Sequence, residues 1–314
     1  METVTPVSLG AYYYHFRQTM RHGMVTGPRL AWYRDVVRPR ILRTAPIATT
    51  DDPAAEAHVL TTRNDWLNLI WTLKSFYANS PVRYRLCIHE DGDVPPEGLD
   101  ALAKHFPQAR IIRRAQADAA VLPRLEATFP RCHALRTTNK LALKVFDFAH
   151  YLEADRMILL DSDLIFFRAP QVLLDRVADP NYLLNTLNRD LSSAYTVEPA
   201  DVQARLGFHL HERINSGFGL LHRPSLDFQH FEEFLDLPGI VGHFWRIEQT
   251  LLALASSRHG YEHLPEDYDV DITRTQTAQS PQPMRHYIGR IRHLMFLEGM
   301  RLLVNDGLLK RLGR

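Results

Sequence analysis

The chain has 314 residues and a mass of 36.2 kDa, enough for one large domain or two small ones with a buried core. Hydrophobic residues make up 45% and charged residues 23%, a balance that excludes an intrinsically disordered chain. The net charge of +1 gives no general attraction to nucleic acid. The two cysteines are too few for a disulfide framework or a cysteine zinc cluster, and they fit a reducing, cytoplasmic location.

Residues 1–50 differ from the rest in being rich in arginine and aromatic side chains. We interpret them as a helical extension that packs on the main domain with its arginines in solvent. The alternative is a contact with an anionic membrane surface, which would place the protein at the inner face of the membrane. Residues 45–55 are rich in proline, threonine and aspartate and are predicted to be the linker into the main domain. No apolar run reaches the ~20 residues that span a bilayer, and residues 1–20 lack the apolar core of a secretory signal.

From residue 56 onward, apolar runs typical of strands alternate with runs of helical spacing. Strands are predicted at residues 57–62, 82–89, 110–112 and 156–160, and helices at residues 65–77, 99–106 and 139–152. This alternation predicts an α/β domain with a mostly parallel sheet. Because ligands of such sheets bind beyond the carboxyl ends of the strands, the residues after each strand are the candidates for chemistry.

Pairs of aspartates two positions apart can converge on one divalent cation, and the chain contains four such pairs. Asp91 and Asp93 lie in the turn-forming segment D-G-D-V-P-P, and the pairs formed by residues 267, 269 and 271 overlap in a polar loop. Only Asp161 and Asp163 lie between two apolar runs. Since buried unpaired carboxylates are costly, we predict that these two bind magnesium or manganese. A helix cap or a salt bridge is the alternative for either of them.

Several segments together resemble one family of enzymes. These segments are V-L-T-T-R-N-D-W (59–66), L-L-D-S-D-L (159–164), I-N-S-G-F-G-L-L (214–221), E-Q-T-L-L (248–252) and H-Y-I-G-R-I-R (286–292). In this order they resemble motifs of glycosyltransferase family 8, the retaining GT-A group that includes glycogenin and bacterial lipopolysaccharide galactosyltransferases. The resemblance departs at Glu248, where the family has Asp, and at Arg292, where the family has Lys. The Pro-Trp that commonly follows this Lys in the family is replaced by His293 and Leu294. The identity of the donor sugar therefore cannot be carried over.

The resemblance implies a single Rossmann-like GT-A domain over residues 56–304, with residues 1–50 as an extension and residues 305–314 as a basic tail. It also implies a nucleoside-diphosphate sugar as donor, with UDP favoured over other nucleotides, and Mn²⁺ or Mg²⁺ as cofactor. The implied metal ligands are Asp161, Asp163 and His286. The implied donor-binding residues are Thr61, Thr62, Asn64, Trp66, Lys144, Ser162, Gly217, Gly289 and Arg292. Three of these assignments compete with ordinary roles: for Lys144 a solvated helix lysine, for Trp66 core packing, and for His286 an unremarkable core histidine.

The implied catalytic residues are Asn215, Glu248 and Gln249, close to the transferred sugar. A neutral amide such as Gln249 is a poor nucleophile, so the resemblance favours front-face substitution, with the leaving phosphate helping to deprotonate the acceptor hydroxyl. A covalent role for Glu248 as the nucleophile is the minority alternative. Glu248 could also have no role in the reaction and only stabilise the first turn of a helix, where the helix dipole favours a negative charge. The acceptor would be a hydroxyl group of a carbohydrate, a lipid-linked glycan or a protein.

Other classes of function have less support. A sugar-nucleotide pyrophosphorylase would need a G-x-G-T-R loop that the chain lacks, whereas a non-catalytic sugar-nucleotide-binding scaffold stays open. Neither a Walker A motif nor a G-x-S-x-G motif is present. His209 and His211 are predicted to share a strand face, as part of an exposed strand edge rather than a zinc site. Membrane contact through the amphipathic segment 299–314 and a homodimer are both left open.

Overall fold

The computed structural model describes residues 20–49 and 53–313, together with residues 13, 16 and 17. Among these residues, none of the helices combines the length and the hydrophobicity that a membrane span requires. The first twelve residues, which belong to the predicted extension, lie outside the described residues.

The core of the domain is a mixed, mostly parallel sheet of seven strands. The described residues form nine strands: β1 (Glu56–Thr61), β2 (Arg85–Glu90), β3 (Arg110–Ile112), β4 (Arg156–Leu160), β5 (Leu164–Phe166), β6 (Asn185–Arg189), β7 (Ile214–His222), β8 (Tyr261–His263) and β9 (Met284–His286). The seven-stranded sheet has the order β3-β2-β1-β4-β7-β6-β8, and only β7 runs antiparallel to its neighbours. Strands β5 and β9 form a separate antiparallel pair.

Helices cover both faces of this sheet. The helices of the described residues are α1 (Gly23–Trp32), α2 (Trp66–Asn79), α3 (Pro96–His105), α4 (Arg114–Thr128), α5 (Pro130–Thr138), α6 (Leu143–Tyr151), α7 (Gln171–Ala178), α8 (Pro199–Leu206), α9 (Phe228–Phe234), α10 (Ile247–His259), α11 (Arg292–Leu294), α12 (Arg301–Asn305) and α13 (Leu308–Arg311). Along β4 the side chains alternate between two cores. Ile158 and Leu160 join the core that contains α2, and Met157 and Leu159 join the core that contains α6, α9 and α10.

The predicted strands and helices of residues 56–160 are all present. The strands at residues 110–112 and 156–160 have the predicted ends, and the ends of the others are shifted. The helix predicted over residues 139–152 opens with a 3₁₀ turn, Lys140–Ala142, because the Asn139 side chain accepts a hydrogen bond from the Leu141 amide at 2.9 Å. The strand placement of His209 and His211 was wrong. Helix α8 ends at Gly207 in the left-handed conformation, with φ of 76°, and the chain enters β7 only at Ile214, so both histidines lie in a loop.

The segment before the sheet packs on the same core as the end of the chain. Leu30 and Ile41 are buried in the α2 core, and the Trp71 indole donates a hydrogen bond to the Arg38 carbonyl at 2.9 Å. The first half of the predicted linker is also fixed, since the Ala45 amide donates to the Leu312 carbonyl at 2.7 Å. Residues 20–49 are therefore built into the domain.

Candidate active site

Asp161 and Asp163 lie in the turn that joins β4 to β5, at the carboxyl end of β4. The Asp161 amide donates to the Gly217 carbonyl at 2.8 Å, and the Tyr287 amide donates to the Asp163 carbonyl at 2.9 Å. The turn is thus held by β7 on one side and by the end of β9 on the other. Both carboxylates are fixed at the edge of the sheet where ligands of this architecture bind.

His286 completes a group of three metal-ligating side chains. Its Nε2 lies 3.1 Å from Asp163 Oδ1 and 3.6 Å from Asp161 Oδ2, and the ligand atoms of the three residues lie within 4.8 Å of one another. The β5–β9 pairing places His286 opposite Leu164, directly after the aspartates. Two carboxylates and an imidazole can hold a divalent ion such as manganese. The three residues that the sequence suggested as ligands are therefore brought together.

Charges near this group keep Asp163 ionised. Burial alone would raise the pKa of its carboxyl, but His286 and Arg292 outweigh burial and hold that pKa below its usual range. Arg292 Nη1 lies 3.3 Å from Asp163 Oδ2, which leaves the Asp163 Oδ1 atom facing His286. Asp163 thus has the salt bridge that the alternative interpretation suggested, and it still presents an oxygen to the metal group.

Gly217 is what allows His286 to come so close to β7. A Cβ atom at position 217 would lie 2.2 Å from His286 Cε1, much closer than real Cβ contacts. The other ring nitrogen of His286, Nδ1, lies 3.1 Å from the side-chain oxygen of Asn215, which orients the imidazole. The sequence suggested Gly217 as a donor-binding residue; in the structure it lies against the histidine.

Lys144 is a buried cation between two carboxylates, so the interpretation as a solvated helix lysine was wrong. Only 4% of this residue is exposed, and its Nζ lies 2.8 Å from Asp161 Oδ1 and 3.1 Å from Glu248 Oε1. It also donates to the Ser216 carbonyl at 3.0 Å. Burial alone would lower the pKa of Lys144, but the two carboxylates outweigh it and raise that pKa. Lys144 therefore joins the metal group to the helix that carries Glu248.

A polar cluster lies beside the metal group at the start of α10. The Glu248 carboxylate accepts a hydrogen bond from the Ser216 hydroxyl at 3.1 Å. The side-chain amides of Asn215 and Gln249 both donate to Asp190 Oδ2, at 3.0 and 3.1 Å. Two candidate catalytic residues thus share one carboxylate.

Sequence reasoning missed two aspartates in this region. Asp190 directly follows β6, and residues directly after strands are candidates for ligand binding. Asp190 was missed because β6 was not predicted. Asp65 precedes α2, and its Oδ1 lies 2.5 Å from Arg292 Nη2. Because Arg292 bridges Asp65 and Asp163, it connects the end of β1 with the metal group.

The residues predicted to hold the base of a nucleotide have different exposures. Thr61 is fully buried, with no hydrogen-bond partner for its hydroxyl among the described residues, so it lies beneath the site surface. The Thr62 hydroxyl donates to Asp65 Oδ2 at 3.2 Å and accepts from the Asn64 amide at 3.3 Å. Asn64 is exposed, whereas Trp66 is half-buried against the core that contains α2.

The two remaining donor-binding candidates also differ. Ser162 is buried between the two aspartates, and its carbonyl accepts a hydrogen bond from the Thr72 hydroxyl at 3.0 Å. Gly289 faces open space, since a Cβ there would meet no atom within 4 Å among the described residues. Of these two, Gly289 is the one beside which a ligand has room.

Comparisons with known proteins bear on the fold. No protein-family model matches the chain, and no curated protein matches it. Among solved structures, apo xyloside xylosyltransferase 1 from mouse matches with a TM-score of 0.50 and 13% identity, over 78% of this chain and 99% of that one. The apo structure of the bifunctional glycosyltransferase WbbM matches with a TM-score of 0.50 and 15% identity, over 85% of this chain and 53% of that one. The chain thus spans about half the length of WbbM. The predicted α/β fold of the GT-A type is confirmed by these likenesses.

Proposed function

We propose that the protein is a metal-dependent glycosyltransferase that transfers a sugar from a nucleoside-diphosphate donor to a hydroxyl acceptor. Among the possible donors, we favour UDP-sugars. The observation that carries this proposal is the meeting of Asp161, Asp163 and His286 at the carboxyl end of β4, in a fold shared with glycosyltransferases. Fold alone does not define chemistry, but this site supplies the groups that a diphosphate leaving group needs.

Mn²⁺ or Mg²⁺ held by Asp161, Asp163 and His286 would neutralise the charge that develops on the departing diphosphate. Arg292 supports the same role, because its guanidinium is 36% exposed next to Asp163 and can present further donors to phosphate oxygens. Lys144, implied as a donor-binding residue, contributes differently: its charge is engaged by Asp161 and Glu248, so it positions these two carboxylates.

Retention of configuration, as the family 8 resemblance implies, is the second part of the proposal. The Gln249 amide is held by Asp190 and lies 3.3 Å from the Asn215 amide nitrogen, in a position to orient a sugar. Glu248 is restrained by Lys144 and Ser216, and an ion-paired carboxylate is a weak nucleophile. Both features favour front-face substitution over a covalent intermediate on Glu248.

The test is release of free nucleotide from a panel of UDP-sugars and GDP-sugars by the full chain, with and without Mn²⁺. We expect Mn²⁺-dependent release from at least one UDP-sugar, and loss of that release in Asp163→Asn. Asp306→Asn is the matched control, because Asp306 lies in an exposed ion pair with Arg311. Binding of UDP without release from any donor, even with acceptor sugars added, would overturn the proposal in favour of the non-catalytic scaffold.

A further inference from the structure

A second group of metal-ligating side chains lies inside the sheet, on the neighbouring strands β1 and β2. His58, Cys87 and His89 are all at most 1% exposed, and His58 pairs directly with Cys87 in the strand register. Their side chains point to the face covered by α6, where the two imidazoles pack against the Phe148 ring at 5.3 and 4.5 Å between ring centroids. None of these residues belongs to the candidate active site.

The three ligand atoms are spaced as the corners of a metal site. His58 Nδ1 lies 3.1 Å from His89 Nε2, Cys87 Sγ lies 3.3 Å from the same nitrogen, and all three atoms are within 4.8 Å of one another. A tetrahedral zinc ion keeps neighbouring nitrogen and sulfur ligands roughly 3.3–3.6 Å apart, given its usual bond lengths. The two distances from His89 Nε2, 3.1 and 3.3 Å, are close to these values, and the third pair of atoms lies within 4.8 Å.

Glu56 provides the outer support that metal-binding histidines usually have. His58 Nε2, the ring nitrogen turned away from the cluster, lies 3.2 Å from Glu56 Oε2. Glu56 is itself held by Arg110 at 2.6 Å and by the Glu153 amide at 2.9 Å. A carboxylate behind a histidine fixes the tautomer and turns the other nitrogen toward the ion.

Hydrogen bonds alone leave this cluster incompletely satisfied. With its proton on the nitrogen that faces Glu56, His58 offers Nδ1 as an acceptor for a proton on His89 Nε2. The His89 nitrogen then has no lone pair for the Cys87 thiol, whereas one metal ion at this point would be bound by all three atoms at once. Buried polar atoms without partners are costly and need an explanation.

We propose that His58, Cys87 and His89 bind a zinc ion that joins β1 to β2 beneath α6. A thiolate with two imidazoles suits zinc and disfavours magnesium or manganese, which prefer oxygen ligands. Water would occupy the fourth position, and binding would release the thiol proton of Cys87 to solvent. The low cysteine count excluded a cysteine cluster, but it does not bear on a site with one thiolate.

The experiment uses cobalt as the probe, because a thiolate bound to Co²⁺ gives a charge-transfer absorption band that carboxylate and imidazole sites lack. The full chain is unfolded with a chelator, freed of metal and refolded with Co²⁺, and folding is checked by circular dichroism. We expect the charge-transfer band together with the visible bands of a tetrahedral ion, and loss of both when excess Zn²⁺ is added. Asp163→Asn should keep the charge-transfer band, which separates this site from the candidate active site.

The second buried cysteine makes a matched control. Cys132→Ala leaves Cys87 as the sole cysteine of the chain, so a band retained in this variant assigns the thiolate to Cys87 even if Cys87→Ala does not fold. Cys87→Ala, where it folds, should lose the band. The proposal is overturned if refolded wild-type protein shows no charge-transfer band, if the band disappears in Cys132→Ala, or if it persists in Cys87→Ala.

Discussion

At the scale of single residues, the candidate active site brings together carboxylates that would repel one another without neighbouring positive charges. The Asp161 and Asp163 carboxylates lie side by side because Lys144 and Arg292 each pair with one of them. Truncating one partner of a buried ion pair leaves the other charge uncompensated, which costs more than the pair itself contributes. Lys144 and Arg292 are therefore part of what keeps the metal group in place.

Replacing Gly217 by alanine should disturb this group directly. The new Cβ would overlap His286, so we expect the free energy of unfolding to fall by about 1–3 kcal/mol and the affinity for Mn²⁺ to weaken. Denaturant unfolding measures the first effect and calorimetric titration the second.

Gly289→Ala is the control for stability, because a Cβ there enters open space. Its free energy of unfolding should stay within about 0.5 kcal/mol of wild type. Equal stability and equal Mn²⁺ affinity in Gly217→Ala and wild-type protein would show that His286 does not need the space at position 217.

At the scale of helices and strands, the sequence predicts the elements whose patterns are long. The apolar run before Asp161 and the helical spacing of residues 65–77 are clear, and both elements are present. The three-residue strands β5 and β9 are too short to give a pattern, yet their pairing brings His286 to the aspartates. Asp161 and Asp163 could therefore be suggested from the apolar runs around them, whereas His286 could be suggested only from the family resemblance.

The same limit explains the residues that were missed. Asp190 follows a strand of mixed polar sequence, N-T-L-N-R, which lacks both an apolar run and strict alternation. Lys144 was suggested as a donor-binding residue, but its local sequence does not distinguish a buried lysine from a solvated one. In the structure it is buried between Asp161 and Glu248. Contacts between elements distant in the chain determined both roles, and no local pattern records them.

Helix α3 contains a group that should make stability depend on pH. His105 is almost fully buried at the end of this helix, and burial together with the nearby Lys74 and Lys104 lowers its pKa to about 4. In the unfolded chain a histidine has a pKa near 6.5. Between pH 6.5 and 4 the unfolded chain thus binds a proton at His105 that the folded protein does not bind. The contribution of neutral, buried His105 to the free energy of unfolding is therefore complete above pH 6.5 and is lost as the pH falls toward 4.

His105→Gln should therefore flatten the fall in the free energy of unfolding between pH 6.5 and 4, by up to roughly 3 kcal/mol. Denaturant titrations at a series of pH values measure it. His209→Gln removes an exposed histidine and should leave the wild-type slope unchanged. The same slope in His105→Gln and wild-type protein would contradict the assignment.

At the scale of the whole molecule, the segment before the sheet belongs to the domain. Ile41 has no exposed surface and packs in the core that contains α2, while Val25 and Trp32 on the same segment are exposed. The packed interpretation of residues 20–49 is thus consistent with the structure. Contact of the exposed residues with a membrane stays a prediction.

Truncation of Ile41 should reveal how much the domain depends on this segment. Ile41→Ala leaves a cavity in the core, so we expect a loss of about 2–5 kcal/mol in the free energy of unfolding. Val25→Ala, at a position where 74% of the residue is exposed, should change it by no more than about 0.5 kcal/mol. If the two variants were equally stable in denaturant unfolding, the segment would be an appendage.

The measurement that tests the central claim most directly is a calorimetric titration of UDP into the full chain with and without Mn²⁺, repeated on Asp163→Asn. We predict binding that needs Mn²⁺ and that disappears in the variant, while circular dichroism shows both proteins folded. Binding of UDP with equal affinity in the presence and absence of Mn²⁺, or in both proteins, would contradict a donor site built on Asp161, Asp163 and His286.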